Sequence, residues 1–512
     1  VIFLRAKRSI LQNTLLLTLV HLFLRCVSLL FEAVLARRLG AGGMGLLQLL
    51  LTAGSFAMTL GMAGVRASSA YLCAEETGRG NPAGVFGTVR LCARYGFCLS
   101  CAAGLALWLL SPLLAGSWIH EPDAVPALRL LAVFLPAGCL CEVFSGYCTA
   151  SSHIRRLAAL EIAEQLLSLL LTLALLFFWA GGDALRCCCA VVLGGGLAEI
   201  LSDGILYLLF RRDFSGVRSA GLRGMFRRLL RLCLPLGLSE CLRAGLGALE
   251  QFLFPWGLVL SGISREAALG EYGLLRGMVF PLLMFPASVL FSLSELLAPE
   301  LARCGASKNK TRVRELADTC LRVGFVYTAA AAALLYLLAE PLGLLLYQNA
   351  DVGRWLRLFA PTALFLYMDA LVDAMNKGLG RQAACARINL LTSGLDAALL
   401  ALLLPKYGAA GYYFCFLAAH LLNFALSLRV LLRCVRVPLR FRSAFRAVFC
   451  ALLAAGACVC FPAPQKPLAQ TLLYAAVFLT VLIPMLALTR ALRPTDRLRL
   501  RRAVPALDFL AK

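Results

Sequence analysis

Ionisable side chains recur inside long apolar runs of this chain, and their types and spacing suggest three kinds of chemistry. A charge near the centre of a membrane helix costs at least about 2.5 to 3.5 kcal/mol, so each one needs a partner or a wet cavity. Arg25, Arg66 and Arg276 are the sharpest of these. A guanidinium stays charged and its fork donates to phosphate oxygens in pairs, so three of them around one cavity would receive a diphosphate. The alternative for each is a buried ion pair with Glu32, Glu271 or Glu295. Glu240 and Arg243, three residues apart, share a helical face, either as a self-neutralising pair or, with Glu32, as further cavity residues. Glu199 with Asp203 and Asp369 with Asp373 are like-charged pairs four residues apart, which repel unless a proton or cation sits between them. They are the candidates for coupling to H+ or Na+, the alternative being that one member of each pair snorkels to an interface.

The elements that must hold these groups follow from composition. Of 512 residues, 61% are hydrophobic and 15% charged, which excludes an ordinary soluble enzyme. The 50 Lys and Arg against 27 Asp and Glu give +23, a balance that membrane topology explains without nucleic acid as a partner. The 21 cysteines lie mostly in apolar runs and read as small hydrophobes; no CxxC pair has a second pair or His partners at zinc spacing, so no metal site and no cofactor beyond a possible coupling cation is expected. No GxxxxGK[ST] loop is present, and the longest loop, around Arg211 to Arg228, is too short to fold as a catalytic domain. The expectation is therefore not an enzyme, and no obligate protein partner is inferred.

Apolar runs predict fourteen membrane spans: 10–36, 45–72, 88–115, 127–150, 157–180, 186–210, 229–260, 268–300, 316–347, 355–377, 387–405, 409–432, 444–461 and 468–489. The stretch after Arg5, Lys7 and Arg8 is too long and too charged for a cleaved signal and reads as the first span. Assigning alternate loops to opposite sides puts 35 Lys and Arg on one side and 7 on the other, which predicts a cell-membrane protein with both termini cytoplasmic. Pro235, Pro255, Pro281, Pro286 and Pro361 are candidate hinges. Gly194, Gly195 and Gly196, inside a span, predict close helix packing.

The chain also repeats itself at an offset of 228 residues. Gly45-Leu46-Leu47 returns as Gly273-Leu274-Leu275; Cys92, Arg94, Gly96 and Phe97 return as Cys320, Arg322, Gly324 and Phe325; Leu128-Arg129-Leu130 returns as Leu356-Arg357-Leu358. The offset covers six spans, so the halves share one orientation and should be related by an axis along the membrane normal. The predicted fold is thus all-α and polytopic, with two six-helix lobes and two appended helices. Its parts are 1–212 (spans 1 to 6), 213–436 (spans 7 to 12, opening with a basic linker 213–228), 437–492 (spans 13 and 14) and a basic tail 493–512.

Specific runs resemble a known family. LRCVSLLFEAVLARRLGAGGMG, through Arg25 to Gly45, followed by LLQLLLTAGSFAMTLGMAGVRASSAYL, resembles the first two spans of polysaccharide flippases related to stage V sporulation protein B, in the multidrug and oligosaccharidyl-lipid exporter superfamily. GYCTASSHIRRLAALEIAEQ (146–165), with Glu164-Gln165, is similar to that family's turn between spans 4 and 5. LRLFAPTALFLYMDALVDAMNKGLGRQ (356–382) and PKYGAAGYYF (405–414) are similar to its second-lobe counterpart. The resemblance implies a transporter that flips a polyprenyl-diphosphate-linked saccharide by alternating access, with membrane lipids around it. It also implies cavity arginines in spans 1, 2 and 8; Arg25 matches the first, while Arg66 and Arg276 match by span. His21, Cys26 and Glu32 depart from the pattern. Spans 13 and 14 resemble helices that shape a groove for the lipid tail in related lipid II flippases. A cation-coupled multidrug exporter of the same superfamily, which would need an acidic cavity, is the alternative. A membrane glycosyltransferase or polymerase is the second, and its short outer loops, with Glu121 and Asp123 beside His120, disfavour it.

Overall fold

The computed structural model describes residues 2–489 except 63, 152–153, 218–223, 307–309 and 436–440, with side chains also left undescribed at 2–21, 154–155, 295–296, 299, 305–306 and 441–443. The tail 493–512, residues 218–223 of the linker 213–228, the terminal residues and the side chains of His21 and Glu295 therefore lie outside the described residues. No strand occurs among the described residues. The helices are α1 (Ile2–Met62), α2 (Val65–Gly78), α3 (Pro82–Leu113), α4 (Val125–Ala150), α5 (Ile154–Phe178), α6 (Ala184–Asp213), α7 (Met225–Leu260), α8 (Arg265–Leu274), α9 (Phe280–Met284), α10 (Ala287–Ala306), α11 (Lys310–Leu342), α12 (Ala350–Phe359), α13 (Ala363–Gly378), α14 (Gln382–Val435), α15 (Phe441–Val459) and α16 (Pro467–Leu488).

Ten helices among the described residues are long and apolar enough to cross a bilayer, or eleven with the bent pair Arg265–Met284 and Ala287–Ser294. The apolar runs predict fourteen spans, and the difference has a physical origin. Two candidate spans, Leu22–Gly78 (57 residues, taking in part of α1 and all of α2) and Gln382–Val435 (54 residues, within the kinked α14), are each more than twice the roughly 20 residues that one crossing needs. The kinks fall at Gly40 (φ 66°) and Gly408 (φ 56°), left-handed positions that glycine adopts without a Cβ clash. Ala444–Val459 is shorter than a full span. Of the five candidate hinge prolines, Pro286 lies at a real break: α9 and α10 meet there at 60°. By contrast α7 runs unbroken through Pro235 and Pro255.

Contacts gather the chain into two units, one of 38–273 with 400–406, the other of 1–37, 274–399 and 407–512. In the first unit α4 packs against α2, α3 and α6, and α5 packs on α6. The glycine run works there as a packing surface: Gly194 lies against Thr172 and Gly196 against the Phe134 ring, with no room for a Cβ. In the second unit α11 is central, touching α12, α13, α15 and α16, while α10 packs on α13. Large apolar side chains such as Phe177 (72% exposed) and Phe178 (84% exposed) face outward, as a bilayer-solvated surface requires.

Local features recur at the 228-residue offset. The two non-glycine residues with positive φ among the described residues, His120 and Gln348, are separated by that offset, and each ends a π-helical turn, Leu114–Ile119 and Gly343–Tyr347. Arg129 lies 5.1 Å from the centroid of Trp108, and its counterpart Arg357 lies 5.7 Å from that of Tyr336, which is the counterpart of Trp108. Gly45 and Gly273, matched from sequence, touch each other: a Cβ at Gly273 would strike Ala41 O and the backbone of Gly45.

Candidate functional site

The first unit holds Arg66 and a group of carboxylates. α1 ends at Met62, Gly64 is left-handed (φ 76°), and α2 starts at Val65, which places Arg66 in that helix's first turn. Thiols donate weakly to carbonyls near the break, with Cys139 Sγ 3.9 Å from Gly61 O, Cys233 Sγ 3.8 Å from Gly64 O and Cys241 Sγ 3.8 Å from Thr59 O. Several of the cysteines that the sequence shows only as hydrophobes thus act as weak donors. Arg66 pairs with Glu142 on α4: Nη1 donates to Oε1 at 3.2 Å, and Nε lies 3.0 Å from Oε2 without a hydrogen bond to it. Its side chain nevertheless keeps 58% of its exposure, against 26% for Glu142.

Around Glu142 lie further acids. Glu142 is within electrostatic range of Glu164 on α5 and Glu240 on α7, Glu199 within range of Glu164 and Glu142, and Asp203 within range of Glu199 and Glu164. Asp203 is buried, at 8% exposure, and neither of its carboxylate oxygens has a hydrogen-bond partner among the described residues. Glu142 and Glu164 complete this group, and neither is among the candidate site residues read from the sequence. Glu240 and Arg243 form no ion pair with each other, and Arg243 points out as an exposed side chain. No cluster of His, Cys, Asp or Glu suited to a metal ion occurs among the described residues.

At the two ends of this unit, charges join its halves. Arg228 at the start of α7 pairs with Glu75, while Glu76, buried at the end of α2, accepts from Arg79 at 2.9 Å and from Asn81 Nδ2 at 3.0 Å. At the opposite end Arg265 pairs with Glu121 at 3.0 Å.

The second unit holds Arg25 and Arg276. Arg276 sits in a π-helical turn, Leu275–Val279, of the kind that re-aims a side chain and is frequent at functional sites. Its guanidinium lies 4.8 Å from the Phe280 ring centroid and within the field of Asp396 on α14 and of His420. Phe280 meets Phe416 edge-on at 5.3 Å, and Phe416 packs at 4.1 Å on His420, so an aromatic shelf backs the charge. Arg25 is exposed on α1 and interacts electrostatically with Glu32, which also lies near Tyr347. Arg37, one turn of helix beyond Glu32, donates from Nε to Leu346 O at 2.8 Å and from Nη2 to Leu345 O.

The two like-charged pairs part company in three dimensions. Asp373 binds Lys377 at 2.6 Å, and Asp369 accepts from Asn423 Nδ2 at 2.6 Å, with Thr392 donating to the same amide's oxygen at 3.0 Å. Glu199 and Asp203 have no such cation beside them among the described residues, and they face acids instead.

These helices, kinks and in-membrane charges define the transporter fold of the MATE and MurJ proteins. A solved lipid II flippase, MurJ in its inward closed conformation, overlays with TM-score 0.65 at 12% identity, over 91% of this chain and 98% of that one. An inward-facing MATE-family multidrug resistance transporter of the MOP superfamily overlays with TM-score 0.62 at 14% identity, over 81% of this chain and 96% of that one. The chain belongs to the family described as polysaccharide biosynthesis protein, whose model matches residues 10–303, and a MatE model matches residues 252–402. Among curated relatives, stage V sporulation protein B of Bacillus subtilis (strain 168) is 21% identical over 79% of this chain and 80% of its own length. Sporulation protein YkvU of the same organism is 22% identical over 72% of this chain and 82% of its own length. The chain is thus a multi-pass membrane protein of a transporter family.

Proposed function

We propose that this transporter flips a polyprenyl-diphosphate-linked saccharide across the cytoplasmic membrane by alternating access, with both termini cytoplasmic and the six-span repeats acting as two lobes. The observation that carries the reading is Arg66, a guanidinium in a span whose partner is a single carboxylate and whose side chain stays largely exposed. A diphosphate offers the same two-oxygen face as Glu142 and more charge, so it can replace that carboxylate on the fork. Arg276, steadied by Phe280, and Arg25, exposed beside Glu32, are the other two forks in this proposal. Glu32, Glu240 and Arg243 are secondary cavity residues.

The acidic group supplies a means of coupling. Four carboxylates at Glu142, Glu164, Glu199 and Asp203 repel one another in a low-dielectric setting, so a proton held among them is favoured. A cation there competes with Arg66 for Glu142 and frees the fork for phosphate. Asp369 and Asp373 are weaker candidates, because Lys377 and Asn423 already hold them. The same acidic group favours the second reading, a cation-coupled multidrug exporter, since cationic drugs suit an acidic cavity. Reconstituted vesicles separate the two. Uptake of a labelled polyprenyl-diphosphate saccharide without uptake of a cationic dye supports the flippase; the reverse pattern supports the exporter and removes the flippase reading.

A further inference from the structure

A groove along the last part of α14 is unrelated to the arginines above. It has a cavity volume of about 480 Å³ and is lined by Leu421, Phe424, Ala425, Leu428, Leu432 and the pair Arg429 and Arg433. These residues recur at three- and four-residue steps, so they form one stripe of the helix. Leu428 and Leu432 also pack inward against the core around Leu371 and Leu431, and the Phe424 ring stands 6.0 Å from Phe365, which gives the groove a firm back. Its open side is apolar, with Leu421 42% exposed, and one end is closed by two exposed guanidinium groups a helical turn apart.

Three observations identify the occupant. First, Arg429 and Arg433 form no ion pair among the described residues, and the sequence holds no Asp or Glu between Asp396 and Asp496. Second, Arg429, Arg433, Arg436, Arg440, Arg442 and Arg446 follow one another closely in the sequence, and a juxtamembrane cluster of this kind attracts anionic lipid head groups. Third, at about 1.5 Å per residue the stripe from Leu421 to Arg433 is about 18 Å long, close to the depth of one leaflet, which is half of a core about 30 Å thick. An apolar groove one leaflet deep that ends in two arginines with no carboxylate beside them among the described residues has the shape and charge to take a single phospholipid with an anionic head group.

We propose that this groove binds an anionic phospholipid of the leaflet on the arginine-rich side, with one acyl chain along Leu421, Ala425 and Leu428 and its phosphate on Arg429 and Arg433. The site is separate from the substrate arginines, so it stands or falls independently of the flippase reading.

The test is native mass spectrometry of the full-length purified chain with phosphatidylglycerol and phosphatidylcholine of identical acyl chains. At about 1 kcal/mol for each basic residue near a membrane surface, two arginines favour phosphatidylglycerol by about 30-fold. The variant R429Q/R433Q is expected to lose that preference, and R429K/R433K to keep it, which also controls for folding. Ala425→Phe, at an exposed position, is expected to lower retention of both lipids by filling the groove. The proposal is overturned if the glutamine variant retains the preference, if the phenylalanine variant binds as the wild type does, or if an equimolar polyprenyl phosphate displaces the phospholipid. The last result would make the groove a seat for the carrier's own tail.

Discussion

The crossing of Gly45 and Gly273 makes a sharp prediction about stability. A Cβ at Gly273 would collide with Ala41 O and with Gly45 N and Cα, and one at Gly45 would collide with Leu269 O. These obstacles are backbone atoms, which cannot rotate aside as a side chain can, so the helices must separate. Overpacking of this kind costs about 1 to 3 kcal/mol, and at a backbone contact the upper part of that range applies. The gain in helix propensity from Gly to Ala, about 0.8 to 1 kcal/mol, offsets part of it. Gly273→Ala should therefore destabilise the protein by about 1 to 2 kcal/mol, a drop of about 1 to 2 °C in unfolding temperature for a chain of this size. At Gly42, three residues before Gly45, an added Cβ would meet nothing within 4 Å, so Gly42→Ala should be neutral or slightly stabilising. The assay is thermal unfolding of the detergent-purified variants side by side. Equal melting of Gly273→Ala and Gly42→Ala would refute the reasoning, because it would mean the backbones are not in contact.

Other perturbations follow from the same geometry. Asp203→Asn removes a buried carboxylate whose oxygens lack hydrogen-bond partners among the described residues, a group that costs about 1 to 3 kcal/mol to leave unsatisfied; its unfolding temperature should hold or rise while any dependence of transport on H+ or Na+ weakens. Arg265→Glu places like charges at the Glu121 contact, and the swap E121R/R265E should restore wild-type melting; because both side chains are substantially exposed, the whole effect stays within about 1 kcal/mol and shrinks as salt is added. A swap no better than the single change would show that the pair is incidental. Glu142→Gln removes the charge on Arg66's partner and should tighten diphosphate binding, whereas looser binding would make Glu142 a necessary support instead of a competitor.

Much of the fold is legible because it is periodic. Apolar runs mark the helices, and the 228-residue offset points to Gly45 and Gly273, which meet, and to Arg129 and Arg357, which each lie over an aromatic ring in the same relative position. What sequence does not reveal is partnership across the chain. Arg66 and Glu142 are 76 residues apart, and nothing in either span shows that the two face each other. Arg37 seeks backbone carbonyls more than 300 residues away, groups that leave no trace in side-chain patterning. Lys377 is readable as a partner four residues from Asp373, and the same spacing rule that flags Asp369 and Asp373 as repelling also contains their relief. The fourteen apolar runs exceed the helices able to cross a bilayer partly because a continuous helix can pass through a glycine kink without ending, as at Gly40 and Gly408.

Binding of a short-chain polyprenyl diphosphate to the purified protein, compared among wild type, Arg66→Ala and Arg66→Lys, bears most directly on the central claim. A bidentate, charge-assisted contact is worth about 1.5 to 3 kcal/mol, so Arg66→Ala should weaken binding by about 10- to 150-fold. Lysine keeps the charge and loses the fork, so Arg66→Lys should fall between the two. Equal affinity in all three proteins would contradict the account.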